Sequence, residues 1–480
     1  MREQSNSRAA RLHDVASLAM AGASLMLASC GGGTGSSPTP SANQAPAFTS
    51  TATATFLENG TSAVYQATAT DPEGSPVSFS IGGGPDAARF TVTTAGLLSF
   101  VTPPNYDLPT DSDGDNVYQV QLVASDGRAT TTLTLAVTVA NSREGIAVHR
   151  VATGFINPVA VAPISDTAVL VAEKAGAIYL LDPQTGTRTF VIAVTNLGTV
   201  QSIVAARNYA TTGTFFVMYA STGGVVVYRY LRNPAGPTVP DNFGPLLSIG
   251  GTPYAGGGWL GLDATGELVI ATGDGGNGAQ DGASRFGKLL RAPYDPTGGS
   301  GAAAIFFPIS TLARGLHRPT GGTLYAGGLL LPDSGQDVSE EVDYFPAAAT
   351  SANFGWPFRE GTHALAGTPP ADLIDPVIEY PHGTGPRAGQ AIVGGAVGGA
   401  AIASLRDQYI FADRGGAIFT VPTSSIRQGS TLAAAAIERR DLDFAPDQGA
   451  ITRPVAITPG TNGAIYIVDD GGSIYRVDAG

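Results

Sequence analysis

Apolar and polar residues alternate in short runs between residues 45 and 141 of this 480-residue chain. In residues 131–139 the apolar side chains Leu133, Leu135, Val137 and Val139 occupy every second position. Shorter runs lie at 62–70, 77–81, 97–101 and 117–124. Such alternation is typical of strands with one buried face. Five runs separated by turns predict a β-sandwich over residues 45–141.

A longer pattern repeats in the rest of the chain. Residues 169–182, 409–422 and 465–478 align without gaps, and each holds an apolar strand, an acid, a Gly turn and a second strand. This arrangement predicts a β-hairpin, with Glu173, Asp413 and Asp469 as the repeated acids. At roughly 50–60 residues per unit, residues 146–480 accommodate a six-bladed β-propeller. An open pair of sandwiches is the alternative, but it leaves the matching first and last hairpins unexplained. The predicted fold class is all-β.

The N-terminus has the features of a targeting segment. Three arginines precede a small and apolar run at 15–28, which is too short to span a bilayer core of about 30 Å and suits a signal peptide. Leu27-Ala-Ser-Cys30 resembles the bacterial lipobox, in which the signal is cut before a cysteine that is then lipidated. An ordinary buried cysteine is the alternative. The sequence predicts a signal peptide at 1–29 and a flexible tether at 30–44.

A lipidated Cys30 implies a location in the bacterial cell envelope, anchored to a membrane through its acyl chains. Gly31 follows the cysteine. Lipoproteins that are retained in the inner membrane have Asp at this position, so the resemblance implies the outer membrane. The expected partners are this membrane and a carbohydrate or another envelope protein.

Composition narrows the possible ligands. The chain has a net charge of −13 and only 14% charged residues, which argues against nucleic-acid binding. Cys30 is the single cysteine, so no intrachain disulfide forms. An excess of carboxylates suits a protein that binds hard cations such as Ca²⁺.

Acidic residues lie at the turns of the predicted sandwich. They are Glu58, Asp71, Glu73, Asp107, Asp111, Asp113, Asp115 and Asp126. Because Ca²⁺ takes six to eight oxygen ligands, this placement makes all eight candidate calcium ligands. A solvated acidic turn would explain Asp111–Asp115 alone, but not the acids at the other strand ends. The motif order resembles bacterial cadherin-like repeats, which implies calcium ligation by Glu58, Asp107 and Asp126. Only one repeat is present, so an inter-repeat site needs ligands from the next domain.

The second part of the chain contains short motifs in a fixed order, including Gly258-Trp-Leu-Gly-Leu262, Gly335-Gln-Asp-Val-Ser-Glu-Glu341 and Asn353-Phe-Gly-Trp-Pro357. Together these motifs resemble the glucose/sorbosone dehydrogenase family, soluble propellers that use pyrroloquinoline quinone (PQQ). The resemblance implies hydride abstraction at a sugar C1, with a histidine general base and calcium as Lewis acid. It also implies that Glu341 is a calcium ligand, with a solvated blade edge as the alternative.

Three departures from this family alter the functional expectation. Ala255 stands where the family has its histidine base, and alanine accepts no proton. His317 and Arg318 replace the Arg-Asn pair that faces the cofactor, and become candidate pocket-lining residues. The stretch 394–400, Gly-Gly-Ala-Val-Gly-Gly-Ala, replaces polar cofactor-facing side chains.

These departures favour a calcium-binding, membrane-anchored envelope protein with a binding or adhesion role. The alternative is a PQQ- and calcium-dependent oxidoreductase acting on aldose sugars. Fold transfers more safely than activity, so PQQ is the less secure of the two expected cofactors.

Overall fold

The computed structural model describes residues 42–233, 245–250, 256–276, 278–293, 308–365 and 367–480, and the backbone of 239–240. The predicted signal peptide and Cys30 lie outside these residues, as does Ala255. Strands dominate the described residues. Within them, no helix has the length and apolar character needed to cross a membrane.

The first nine strands form the N-terminal domain. They are β1 (Ala47–Phe48), β2 (Thr53–Leu57), β3 (Tyr65–Gln66), β4 (Ala69–Thr70), β5 (Ser78–Gly83), β6 (Phe90–Val92), β7 (Leu97–Phe100), β8 (Val117–Ser125) and β9 (Thr130–Ala140). One sheet has the order β2-β9-β8-β5 and a second the order β3-β7-β6. Their alternating apolar residues, among them Leu98, Leu122 and Val137, form one buried core. The long β8–β9 hairpin pairs Leu122 with Leu133.

The remaining strands build the propeller. They are β10 (Ile146–Ala152), β11 (Pro158–Ser165), β12 (Ala168–Glu173), β13 (Ala177–Leu181), β14 (Arg188–Ala193), β15 (Thr199–Ala205), β16 (Thr214–Ser221), β17 (Gly224–Leu231), β18 (Val239–Pro240), β19 (Leu247–Gly250), β20 (Gly258–Leu262), β21 (Leu268–Thr272), β22 (Lys288–Ala292), β23 (Ser310–Arg314), β24 (Thr323–Tyr325), β25 (Gly328–Asp333), β26 (Ser339–Phe345), β27 (Arg359–Glu360), β28 (His363–Ala364), β29 (Ile378–Pro381), β30 (Ile392–Val397), β31 (Gln408–Asp413), β32 (Ile418–Pro422), β33 (Glu438–Arg439), β34 (Pro454–Pro459), β35 (Ile465–Asp469) and β36 (Ser473–Ala479). One short helix, α1 (Tyr209–Thr212), precedes β16.

Apart from β27 and β28, which form a separate hairpin, these strands form six antiparallel blades within the described part of the chain. Blades 1 to 5 are β11–β14, β15–β17 with β18 and β19, β20–β23, β24–β26 with β29, and β30–β33. Blade 6 joins the C-terminal strands β34–β36 to β10, which enters from the N-terminal side of the propeller. The ring is therefore closed by a strand from each end of the domain, and the predicted six-bladed, all-β architecture is confirmed.

Glycines let the innermost strands approach closely. A Cβ atom on Gly321 would lie 2.4 Å from the Cα atom of Gly394, which no ordinary side chain tolerates. Gly261 and Gly322 likewise leave the space that the indole of Trp259 occupies. The glycine-rich stretch at 394–400 therefore serves strand packing around the central channel.

Candidate functional site: a cationic funnel and a buried carboxylate trio

The innermost strands of the six blades surround a channel, and a cavity of about 620 Å³ opens at the end where these strands begin. We call this end the top face and the cavity the funnel. Its wall includes the first residues of the inner strands, such as Val159, Gly258 and Val455. The outer rim comes from residues that follow the second strand of a blade, such as Lys174 and Arg414.

The acids repeated in the sequence hold the top face together. In four blades a carboxylate at the end of the second strand accepts backbone N–H groups from the segment leading into an inner strand. The N–H group of Ile156 donates to Glu173, and those of His317 and Arg318 donate to Asp333. Gln390 and Ala391 donate in the same way to Asp413, and Thr452 and Arg453 to Asp469. Such charge-assisted bonds are stronger than neutral ones, so the residue after each acid is fixed at the rim.

Three cations line the funnel. Lys174 and Arg414 directly follow the capping acids of blades 1 and 5, and Arg318 comes from the loop before β24. No Asp or Glu side chain is among the described residues that line this cavity. In a protein with a net charge of −13, this wall concentrates positive charge and favours an anion.

Two polar atoms at the funnel wall lack partners. The buried Nε of Arg318 and Oγ1 of Thr320 form no hydrogen bond within the described structure, although both residues line the cavity. A buried donor without a partner costs free energy unless a ligand or water satisfies it. Arg414 differs, because its Nη2 lies 3.2 Å from the carboxylate of Asp470. Arg318 is therefore a cation of the funnel wall whose Nε the described protein leaves without a partner.

His317 lies behind the funnel and is not among the residues that line it. Its ring stacks on Trp356 with centroids 3.7 Å apart, and its Nδ1 lies 2.9 Å from the carbonyl oxygen of Ser334. Because a carbonyl only accepts, Nδ1 carries the proton and donates it. Burial, with Arg318 nearby, lowers the pKa of His317 to about 4. This imidazole is neutral at pH 7, and one nitrogen is engaged in the protein.

The predicted pocket-lining pair is therefore divided: Arg318 faces the cavity, while His317 packs beneath it. Ala255 lies outside the described residues, but Gly256, Gly257 and Gly258 run along the funnel wall. A Cβ atom on Gly257 would lie 2.6 Å from the Cα of Arg318. Gly257 thus packs against the loop of Arg318.

Blade 4 contains three carboxylates in close contact. Asp333 at the end of β25 pairs in register with Glu341 of β26, and Asp343 lies two residues further on the same face of β26. Ligand oxygens of the three lie within 4.8 Å of one another. Glu341 is 5% exposed and the other two are fully buried. We call these residues the blade-4 trio.

Two members of the blade-4 trio have carboxylate oxygens without hydrogen-bond partners in the described structure. Glu341 Oε2 and both carboxylate oxygens of Asp343 have no hydrogen-bond donor within the described structure. Burial and mutual repulsion raise the pKa of Glu341 and Asp343 well above their usual values. Because three such groups cannot remain ionised together without a cation, the trio has the chemistry of a Ca²⁺ site.

A neighbouring carboxylate shapes the loop beside the trio. Glu360 Oε1 accepts backbone N–H groups from Gln336, Asp337, Val338 and Ser339 at 2.7–3.0 Å. Although burial opposes ionisation, these four bonds together lower the pKa of Glu360. This loop connects Asp333 to Glu341, so Glu360 fixes the distance between two members of the trio.

In the N-terminal domain, Asp111, Asp113 and Asp115 converge as the sequence predicts for a cation-binding loop. Their oxygens lie within 4.8 Å of one another, and Asp111 Oδ1 is buried without a partner among the described residues. A hydrogen bond with Asp111 raises the pKa of Asp113. With the blade-4 trio, this is one of two groups of three or more acids of such geometry in the described residues.

The other acids of this domain lie elsewhere. Asp71 accepts the N–H groups of Glu73 and Ser75, and Glu73 accepts the backbone N–H of Gln44. Asp126 accepts N–H groups from its own turn, which lower its pKa to about 2. Asp71 and Asp126 thus accept from their own turns, Glu73 and Asp126 also accept from the segment of Asn43 and Gln44, and none of the three joins the cluster of Asp111, Asp113 and Asp115.

Glu58 and Asp107 lie at the contact with the propeller. Glu58 accepts the backbone N–H groups of Tyr106 and Ser142. Asp107 Oδ2 lies 3.4 Å from Nε of Arg440 in the propeller. Burial and the nearby Asp443 raise the pKa of Asp107 to about 9, while Arg440 opposes the shift.

Comparison with solved structures identifies the fold. An aldose sugar dehydrogenase from Streptomyces coelicolor, solved in its PQQ-bound form, matches with a TM-score of 0.54 and 19% identity over 70% of this chain and 99% of that one. A putative glucose dehydrogenase from Thermus thermophilus matches with a TM-score of 0.51 and 22% identity, over 69% and 100%. The apo soluble aldose sugar dehydrogenase from Escherichia coli gives 0.52 and 17%, over 70% and 100%.

The propeller has the sugar-dehydrogenase fold. No family model matches the sequence, and no curated protein does. At such low identity the likeness concerns the fold and leaves the activity to be argued from the funnel and the trio.

Proposed function

We propose that this chain is a lipid-anchored, calcium-binding protein of the bacterial cell envelope whose propeller binds an anionic small molecule without oxidising it. The observation that carries the proposal is the funnel wall. It holds three cations and no described carboxylate, and the buried Nε of Arg318 lacks a partner there. The funnel is of the size usual for small-molecule sites.

The anion would contact Arg318 and Thr320 at the wall. Arg318 is held rigidly, because its backbone N–H donates to Asp333 and Gly257 packs against its Cα. A prepositioned guanidinium binds carboxylate or phosphate groups well, since little side-chain freedom is lost on binding. Lys174 and Arg414 add long-range attraction at the rim.

Calcium would be held by Asp333, Glu341 and Asp343, and it would supply the positive charge that the buried blade-4 trio needs. Asp333 also accepts the N–H groups of His317 and Arg318. The trio therefore connects the proposed ion to the backbone that presents Arg318. In this proposal calcium stabilises the funnel wall.

The absence of a base is the reason for proposing binding without oxidation. Removing a hydride from a sugar carbinol requires a group that takes the hydroxyl proton. The motif resemblance in the sequence implies that Ala255 stands where the family has its base. His317 donates through Nδ1 to Ser334 and lies outside the funnel lining, so it is poorly placed to replace that base.

The anchor belongs to the same proposal. Cys30 would carry the acyl chains and residues 30–44 would form the tether, with the sandwich and propeller displayed beyond it. In the outer membrane this arrangement would present the funnel to a carbohydrate-derived or protein-borne anion. A spheroplast fractionation with radiolabelled palmitate tests the anchor, and a Cys30→Ser variant that stayed in the membrane fraction would contradict it.

The second candidate is a PQQ-dependent aldose dehydrogenase. The cationic funnel favours it, since PQQ is a planar anion and a structure of this fold is described as PQQ-bound. The glycine-rich stretch at 394–400 replaces polar cofactor-facing side chains of the family, and the sequence therefore predicted weaker binding of such an anion. Arg318, Lys174 and Arg414 supply cations from other loops, so PQQ binding and PQQ turnover become separate questions.

The test is a titration of the purified protein with PQQ, and separately with citrate, at low and high salt. Arg318→Gln removes a charge-assisted contact of about 1.5–3 kcal/mol, so we expect affinity to fall roughly 10- to 100-fold. Arg427→Gln is the matched control, because Arg427 is exposed and donates only to the nearby carbonyl of Ser424. Failure of both anions to bind, or equal loss in both variants, would reject the funnel as an anion site.

A further inference from the structure

The two domains meet at a buried arginine. Arg440 follows β33, the outermost strand of blade 5, and its side chain is 2% exposed. Its backbone N–H donates to the carbonyl oxygen of Ile418, so the blade fixes its position. Carboxylates reach its guanidinium from three segments: Asp107 of the sandwich, Glu144 of the connector and Asp443 of the loop after β33.

The contacts form one connected network. Arg440 Nε lies 2.8 Å from Asp443 Oδ2 and 3.4 Å from Asp107 Oδ2, while Nη2 donates to Glu144. The second oxygen of Asp443 accepts the side-chain N–H of Asn141 at 2.8 Å. Sandwich, connector and propeller therefore share a single guanidinium.

Acidic groups outnumber cations around this point. Glu58 accepts N–H groups from both Tyr106 and Ser142, and burial together with repulsion among the acids raises the pKa of Glu58 and Asp107. Asp107 Oδ1 and Asn141 Oδ1 are buried and form no hydrogen bond within the described structure. Oxygen atoms from several segments thus converge on one cation, and two further oxygens, Asp107 Oδ1 and Asn141 Oδ1, have no partner in the described structure.

Convergent carboxylate and amide oxygens are the ligand set of a calcium site, and the sequence predicted Glu58 and Asp107 as calcium ligands. The residues do not fit that ion while Arg440 is present. A calcium ion placed among Asp107, Glu144 and Asp443 would lie against the guanidinium, and like charges in a buried setting repel strongly.

We propose that Arg440 is the permanent cation of this junction, in the place that a bridging calcium ion would take. The sandwich is then fixed on the propeller without calcium. Replacing Arg440 by a small neutral residue leaves the carboxylates unpaired around an open space, and that space becomes a calcium site.

The test counts calcium ions per chain by equilibrium dialysis on the full chain and four variants. Arg440→Ser should bind one more ion than the wild type. Adding Asp443→Asn to it should return the count to the wild-type value. Arg440→Lys should match the wild type, because the ammonium remains a cation at the junction. The candidate sites at Asp111–Asp115 and in blade 4 are common to all variants and cancel in the comparison.

The single variant Asp443→Asn keeps the test decisive even if Arg440→Ser folds poorly. The amide oxygen of Asn can accept one of the two hydrogen bonds that Asp443 accepts from Asn141 and Arg440, and Arg440 remains in place, so circular dichroism is used to check that the variant is folded. If Arg440 is the cation, this variant binds as many calcium ions as the wild type. Loss of one ion would show that calcium already occupies the junction, and a wild-type count in folded Arg440→Ser would show that the junction needs no cation. Either result overturns the proposal.

Discussion

Replacing Asp343 by Asn in the blade-4 trio should remove most of the stabilisation that calcium gives to the propeller. An ion that binds only the native state at one hundred times its dissociation constant adds about 2.7 kcal/mol. With an unfolding entropy of about 2.1 cal/mol/K per residue, residues 146–480 unfold with about 0.7 kcal/mol/K. The expected calcium-dependent rise in the melting temperature is therefore about 4 °C in the wild type.

Differential scanning calorimetry in calcium and in chelator measures this rise. Without calcium, Asp343→Asn should melt above the wild type, because the neutral amide replaces a buried acid whose pKa burial holds well above its usual value and which must otherwise be protonated or carry an unpaired charge. With calcium it should gain little, since Asp343 offers two oxygens that lack donors. Asp337→Asn is the matched control: Asp337 is exposed in the adjoining loop and should keep the full rise. A wild-type protein indifferent to chelation, or an unchanged rise in Asp343→Asn, would refute the argument.

Three further predictions concern single side chains. Because the pKa of His317 is lowered from 6.5 to about 4, its neutral form stabilises the fold above pH 6.5, and about 3 kcal/mol is lost as the pH falls through 4. Urea unfolding against pH should show a smaller acid loss in His317→Gln, and an identical profile would contradict it. Lys288→Met should lose at least about 3 kcal/mol, because the buried ammonium donates to three backbone carbonyls. Lys174→Met is the control in urea unfolding, because Lys174 is exposed. An equal loss of stability in the two variants would exclude this role for Lys288. Asp113→Asn should lower the number of bound calcium ions by one in equilibrium dialysis, and an unchanged count would remove the loop from the candidate sites.

The sequence predicted the blades because each hairpin repeats a local pattern. The acid after the second strand recurs at Glu173, Asp413 and Asp469, and the structure gives its physical reason: each carboxylate caps the segment leading into an inner strand. Alternation of apolar residues was sufficient to predict β5, β7, β8 and β9, since one face of each sheet is buried, but β1, β2 and β6 lie outside the predicted runs. These features depend on neighbours within a few tens of residues.

The sites depend on longer-range geometry, which the sequence did not provide. Asp333 and Asp343 join Glu341 only through the β25–β26 register; the alternation of β26 could have indicated that Asp343 shares a face with Glu341. Arg440 meets Asp107 across most of the chain, and no local pattern indicates that contact. Lys174 and Arg414 could have been found, because each directly follows a repeated acid.

The most direct measurement is aldose-dependent dye reduction by the purified protein after loading with PQQ and calcium, with the absorbance of PQQ recorded on the same sample. The account predicts that PQQ shifts its absorbance on binding at Arg318 and that no aldose reduces the dye, because no His, Asp or Glu is among the described residues that line the funnel. Turnover at roughly 1 s⁻¹ or faster, the usual range of enzymes, would contradict it and establish the dehydrogenase.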